Sequence, residues 1–243
     1  MFLKPRLTDI VLELFEVGFN HDPKHDKAIK EKLVDFLKEE DNILALDSDV
    51  NVRLARDAAH FAIADRIYAE TTNSKEAYHY MESFLKRMME TAPADWHYYD
   101  LKIVISSIHF TKDVEQAIVL AKKADERIIG FQIARLTHNL EGALAANMCA
   151  RVLNAKYCDD EVIADLTDQF ESWMIRLENL IDSHKDSEFL EMALHITKIR
   201  RDIFNNKSSI ITYCDDLLPQ FDKSIAKMVQ NEVKFYYSLG ALD

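Results

Sequence analysis

Glycine and proline are nearly missing from this chain, four of each in 243 residues. Average proteins carry about 7% and 5% of them, and folds built of strands and tight turns draw on them repeatedly. Their scarcity excludes a turn-rich β architecture and leaves helices joined by short polar turns. Cysteine is also sparse. Cys149, Cys158 and Cys214 are odd in number and form no CxxC pair, so neither a disulfide framework nor a zinc ribbon is expected. No apolar run reaches the ~18 residues of a membrane span. The first residues, Met1-Phe2-Leu3-Lys4-Pro5-Arg6, lack the basic-then-apolar order of a signal peptide. The expectation is a reduced, cytoplasmic chain without a membrane segment.

What is abundant is apolar and acidic. Hydrophobic residues make up 48%, charged residues 30%, and the formal net charge is −12. The first figure supplies a core and the second solvated outer faces. The third opposes nucleic-acid binding, which depends on Lys and Arg neutralising phosphate. The basic pairs Lys86-Arg87, Lys122-Lys123 and Arg200-Arg201 each sit among apolar or acidic neighbours and read as solvated helix faces.

Apolar residues recur at spacings of three and four along almost the whole chain, which predicts an all-α fold of about eleven helices in a single domain, residues 1–243. The first spans Pro5 to Phe19 and the second follows His21-Asp22-Pro23. A third runs from Ser48-Asp49 to Ala69. A fourth opens at Asn73, with Glu76 as capping-box partner, and ends at Thr91-Ala92-Pro93. The fifth spans Asp95 to His109, the sixth is capped by Thr111, and a long seventh covers Phe131 to Leu153. Asp159-Asp160-Glu161 opens an eighth and Ser187 caps a ninth that ends at Phe204. After the Asn205-Asn206-Lys207 turn, a tenth ends at Pro219 and an eleventh at Leu239. Short turns make neighbours antiparallel, and stacked hairpins bury both stripes of each helix. Ala117, Ala121 and Ala124 let a partner helix approach closely, as degenerate tetratricopeptide-like hairpins require.

Chemical motifs are scarce. Glu76-x-x-His79 and Asp57-x-x-His60 have the spacing of carboxylate–imidazole metal pairs but lack the additional carboxylates of a di-iron site. His21-Asp22 and His25-Asp26 fit turn chemistry. No nucleophile motif is present, and Asp159-Asp160 and Asp215-Asp216 lack the third acid of an Asp-Asp-x-x-Asp prenyl-type site. An all-α metal or prenyl enzyme is therefore the weaker reading; no catalytic residue, metal or cofactor is implied. The Tyr98-Tyr99 and Tyr236-Tyr237 pairs read as packing. Trp96, one of two tryptophans, stands where an aromatic anchors a helix on the preceding hairpin.

The segment Trp96-His-Tyr-Tyr99-Asp100-Leu101 resembles the Trp-Gly-x-Tyr-Glu-hydrophobic motif of the Rgg/MutR regulators, peptide-sensing transcription factors of Gram-positive bacteria within the RRNPP group. Asp113 to Ala124, Phe170-Glu-Ser-Trp-Met-Ile-Arg176 and Met192-Ala-Leu-His-Ile-Thr197 resemble later segments of that family in order, and the likeness extends from about Leu7 to Phe204. It implies a right-handed superhelical array that holds a short peptide on its concave face and forms a homodimer through its C-terminal helices. It also implies a regulatory domain without the family's helix-turn-helix, since the array begins almost at Met1. Asn139 stands where the family often clamps a ligand backbone. Ser106 and His109 stand where members carry Asn and Arg, and Arg53 resembles an Arg of an early array helix. Arg135, four residues before Asn139, shares its helix face. The expected ligand site is thus Arg53, Ser106, His109, Arg135 and Asn139. A general helical-repeat scaffold for protein–protein contacts is the alternative.

Overall fold

A computed structural model describes residues 50–72, 74–131, 137–159, 165–206, 218–221 and 223–240. Among these residues there is no strand, and the α-helices are α1 (Val50–Thr71), α2 (Ser74–Glu90), α3 (Tyr98–Ser107), α4 (Val114–Gly130), α5 (Thr137–Cys158), α6 (Leu166–Ser183), α7 (Glu188–Phe204) and α8 (Lys223–Ser238). Short 3-10 turns cover Pro93–Asp95, Ile108–Phe110 and Leu218–Gln220. They correspond to the third to ninth and the eleventh predicted helices. The first, second and tenth predicted helices, the Asn73 cap, Cys214, Arg135 and the acids Asp160-Glu161 lie outside the described residues.

Helix ends follow local chemistry. Trp96 is buried as an anchor between α2 and α4, and its carbonyl accepts from Arg127 Nε at 2.9 Å. The next turn enters α3 through a box in which the Asp100 carboxylate accepts the His97 backbone N–H at 2.9 Å. The fourth of these helices is capped by Asp113 rather than Thr111: Asp113 Oδ1 accepts from Gln116 N at 2.7 Å. Thr111 instead donates back to the Ile108 carbonyl and accepts from buried Arg151. Ser187 caps α7, its hydroxyl accepting from Leu190 N. Asn206, at φ +55°, ends the turn that follows α7, a position asparagine tolerates.

The helices form two series. In one, α1, α3, α5 and α7 touch in order; in the other, α2 touches α4, and α4 meets α6 through the Asp125–Arg176 ion pair at 2.6 Å. The buried alanines Ala117, Ala121 and Ala124 of α4 let it close on its neighbours. Two features depart from a plain stack of hairpins, in which each unit meets only its neighbours. First, α5 touches α3, α4, α6 and α7 and acts as a spine. Gly142 sits where an added Cβ would come within 2.2 Å of Leu190. Second, α8 returns to pack on both α1 and α7, the two ends of the first series.

Candidate functional site

The first-series helices converge on a buried polar centre. Arg200 of α7 extends into the interior, where it forms a two-pronged ion pair with Glu232 of α8: Nε to Oε1 at 2.8 Å and Nη2 to Oε2 at 3.1 Å. Its Nη1 also donates to the Ala146 carbonyl on α5 at 3.3 Å. Arg200 is 6% exposed and Glu232 3%. Burial alone would make that guanidinium easier to deprotonate, but Glu232's charge and hydrogen bonds outweigh it and hold the pKa above the ordinary value.

A second hydrogen-bonded run lies beside the ion pair. Ser74, at the start of α2, donates to Asn154 Oδ1 at 2.8 Å, and the Asn154 amide donates to the Tyr236 hydroxyl at 3.4 Å. Tyr68 of α1 lies close enough to the Tyr236 phenol and the ion pair to feel both. Its hydroxyl nevertheless has no partner of hydrogen-bond geometry among the described residues. Burial, with Glu232's charge adding to it, pushes the Tyr68 phenol far up. His109 closes the centre, with its ring edge-on to Tyr68 at 4.7 Å and against Phe110 at 3.9 Å. Its Nδ1 is also buried without a partner. Burial, and then the nearby Arg200 charge, lower its pKa to about 3, so the ring is neutral at ordinary pH.

The sequence-predicted residues separate on this frame. His109 joins the polar centre. Ser106 is half-buried on α3, beside Ile105, whose carbonyl accepts from Asn147 on α5 at 2.9 Å. Asn139 lies eight residues before Asn147, about 12 Å along α5 at ~1.5 Å per residue. There its Oδ1 accepts from the Ser187 hydroxyl at 3.2 Å. The same end of α5 carries His138, stacked on His184 at 4.5 Å. Arg53 is half-buried on α1, its buried Nε without a partner among the described residues. It lies fifteen residues before Tyr68, about 22 Å away along the helix. Arg135 falls outside the described residues.

The basic pairs also resolve differently from the solvated faces expected of them. Arg200 is buried while Arg201 is half-buried. Arg87 crosses from α2 to the buried Asp57 of α1 at 2.5 Å, whereas Lys86 is exposed. Lys123 donates to the carbonyls of Met88, Met89 and Thr91, whereas Lys122 is exposed. In each pair one member ties two elements together, because a long aliphatic stem carries its charge to a carboxylate or to the free carbonyls at a helix end.

The two described cysteines are held as thiols. Burial pushes the Cys149 thiol up to about 12, and burial with the Asp159 charge pushes Cys158 up to about 11, so neither is a thiolate at neutral pH. Among the described residues no group of three or more His, Cys, Asp or Glu side chains could hold a metal ion, and no helix is long and apolar enough to cross a membrane. No family model matches the chain, no curated protein matches it, and no solved structure matches its fold.

Sequence reasoning missed Arg200, Glu232, Tyr68 and Asn154. A signal was present: Arg200 shares the apolar stripe of Ile196, Ile199 and Ile203, and Glu232 shares that of Val229 and Tyr236. A charge at a core register of a helix implies a buried partner.

Proposed function

We propose that this chain is a non-enzymatic regulatory domain that binds a short peptide on the face formed by α1, α3, α5 and α7. In this reading the two helix series are hairpins of a superhelical array and their inner face is its concave side. The supporting observation is the polar centre. A fixed guanidinium suits a carboxylate, an amide suits a peptide backbone, and His109 Nδ1 is buried with no hydrogen-bond partner among the described residues. Such an atom costs about 1–3 kcal/mol when left unmatched, a cost a ligand that reaches it would recover. Ser106, Asn139, Arg53 and Arg135 would extend the contact along the same helices, and self-association would transmit occupancy.

The test is retention of a degenerate pool of short peptides by the full chain, read by native mass spectrometry. The expected retained set is enriched in carboxylate-bearing peptides. Retention is lost when Arg200→Met is combined with Glu232→Leu, which removes both buried charges together. A pool not retained, or retained equally by both chains, overturns the reading.

A further inference from the structure

The polar centre is covered by the chain's own last helix. Helix α8 seats on it with a broad face, where half-buried Ile225, Met228, Val233, Phe235 and Tyr237 pack around the buried residues. Among the described residues its buried side chains are Val229, Glu232 and Tyr236, spaced three and four apart so that they share one side. Each polar contact it makes is of a kind a peptide ligand would make. Glu232 offers a carboxylate to Arg200, Tyr236 accepts from Asn154, and Asn231 donates its amide to the backbone carbonyl of Ala69 at 3.0 Å.

The fit is incomplete, since α8 brings its Tyr236 phenol to Tyr68 but leaves His109 Nδ1 without a partner among the described residues beside its own ion pair. The ion pair itself is costly to desolvate, so it specifies which segment docks more than it tightens the docking. The charges agree with this placement. Helix α8 carries three Lys against one Glu, a formal +2, which leaves −14 for the rest of a chain of net −12. Its lysines, Lys223, Lys227 and Lys234, all lie on the exposed side, where they draw it to an acidic body without fixing its register.

We infer that α8 is a built-in occupant of the peptide site, and that the site takes in its place a cationic amphipathic helix from a partner, with a single carboxylate on its apolar face directed at Arg200. This rests on the peptide-binding reading above and deepens it, since it names the ligand's chemistry and makes displacement of α8 the event that reports binding. A ligand must match α8's carboxylate, or Arg200 is left buried and unpaired. It gains over α8 by reaching His109 Nδ1.

The probe is a fluorescent synthetic peptide with the sequence of residues 223–240, added to the full chain and to its Glu232→Gln and Asn231→Ala variants. Glu232→Gln weakens the resident helix while leaving the site's residues intact, so the peptide binds that chain about tenfold tighter than the unaltered one. Asn231→Ala, a milder change, gives the same direction at about threefold. A peptide with Gln in place of its own Glu binds about tenfold more weakly to every chain. On addition of the peptide, hydrogen exchange of the α8 amides rises while that of α5 stays constant; the α5 amides also report whether each variant is folded. Binding without any change in α8 exchange overturns displacement but leaves peptide binding standing. No binding to any of the three chains up to about 1 mM, a free energy near −4 kcal/mol, overturns both. Protection of α8 that rises with chain concentration means that a second copy supplies the helix, and overturns occupation in cis.

Discussion

Helices α5 and α8 bury themselves in opposite ways. Twelve residues of α5, from Gly142 to Ala155, are buried, on all sides of the helix. Among the described residues of α8, Val229, Glu232 and Tyr236 are buried and Ile225, Met228, Val233, Phe235 and Tyr237 are half-buried against the core, while its lysines face outward. The α5 sequence is accordingly apolar and small all round, Ala-Leu-Ala-Ala-Asn-Met-Cys-Ala over residues 143–150, the composition of a helix with neighbours on every side. The α8 sequence keeps Lys223, Lys227 and Lys234 on one side and its apolar residues on the other. A helix enclosed by four others is part of the cooperative core. If α8 is the displaceable occupant inferred above, it has its own, smaller docking free energy and opens separately from the rest.

The largest effect that sharpens this contrast lies in α5. Leu153 is fully buried, and Leu153→Ala should lower global stability by about 2–5 kcal/mol through lost burial and the cavity left behind. The check is a denaturant midpoint that shifts at unchanged slope, with all helices melting together. If α8 melts apart from the body in the unaltered chain, its amides will exchange by a route that Leu153→Ala leaves alone.

Next in size is the ion pair. Glu232→Ala strands a buried guanidinium, a loss of about 3–5 kcal/mol if α8 stays seated. If α8 lifts away as inferred and lets Arg200 rehydrate, the loss is capped at the docking free energy of α8. The expected outcome is faster α8 exchange with a body that melts nearly as before. A fully cooperative loss of 3 kcal/mol or more would break the comparison and make α8 as integral as α5.

The third effect is acid sensitivity at the same centre. His109 has its pKa lowered to about 3 in the folded chain, against about 6.5 unfolded. Between these values the unfolded chain binds the extra proton. The stability tied to the neutral ring is therefore present in full above pH 6.5 and is lost as pH falls toward 3, by about 1.4 kcal/mol per unit. His109→Phe keeps the packing against Tyr68 and Phe110, and should flatten the stability profile over that range while leaving it near level at pH 8. An unchanged slope would show that the ring reaches solvent when α8 moves.

The helices were legible where periodicity and caps agree. The ends of α2, α4 and α7 fall within a residue or two of Glu90, Ile129 and Phe204 because Pro93 follows the first, Gly130 ends the second and Asn205-Asn206 follow the third. The fourth helix begins at Asp113 because its carboxylate reaches the Gln116 N–H, whereas Thr111 is held by Ile108 and Arg151. Two capping-type residues two positions apart cannot be ranked without knowing what each meets from afar. The same limit hid the polar centre. Arg200 and Glu232 are 32 residues apart, and Ser74 and Asn154 are 80 apart. No local spacing relates them, and an Arg followed by another Arg looks like surface until the partner helix is placed.

The smallest effect concerns the far end of α5. Ser187 Oγ does two things there: it accepts from Leu190 N as the cap of α7, and it donates to Asn139 Oδ1 at 3.2 Å. Ser187→Ala should cost about 1 kcal/mol as a lost cap. Asn139→Ala should cost about 0.5–1 kcal/mol as a lost, half-buried hydrogen bond. Because they share one bond, the double substitution should cost less than the sum, with a coupling of about 0.5 kcal/mol in a double-mutant cycle read by chemical denaturation. Strict additivity would mean that the two side chains do not meet in solution, which would return Asn139 to the ligand. Peptide affinity of Asn139→Ala supplies the second reading. A side chain that only braces α5 against α7 leaves peptide affinity within about twofold. One that also clamps a peptide backbone weakens it by about 1–3 kcal/mol, roughly five- to 150-fold, at the same small cost in stability.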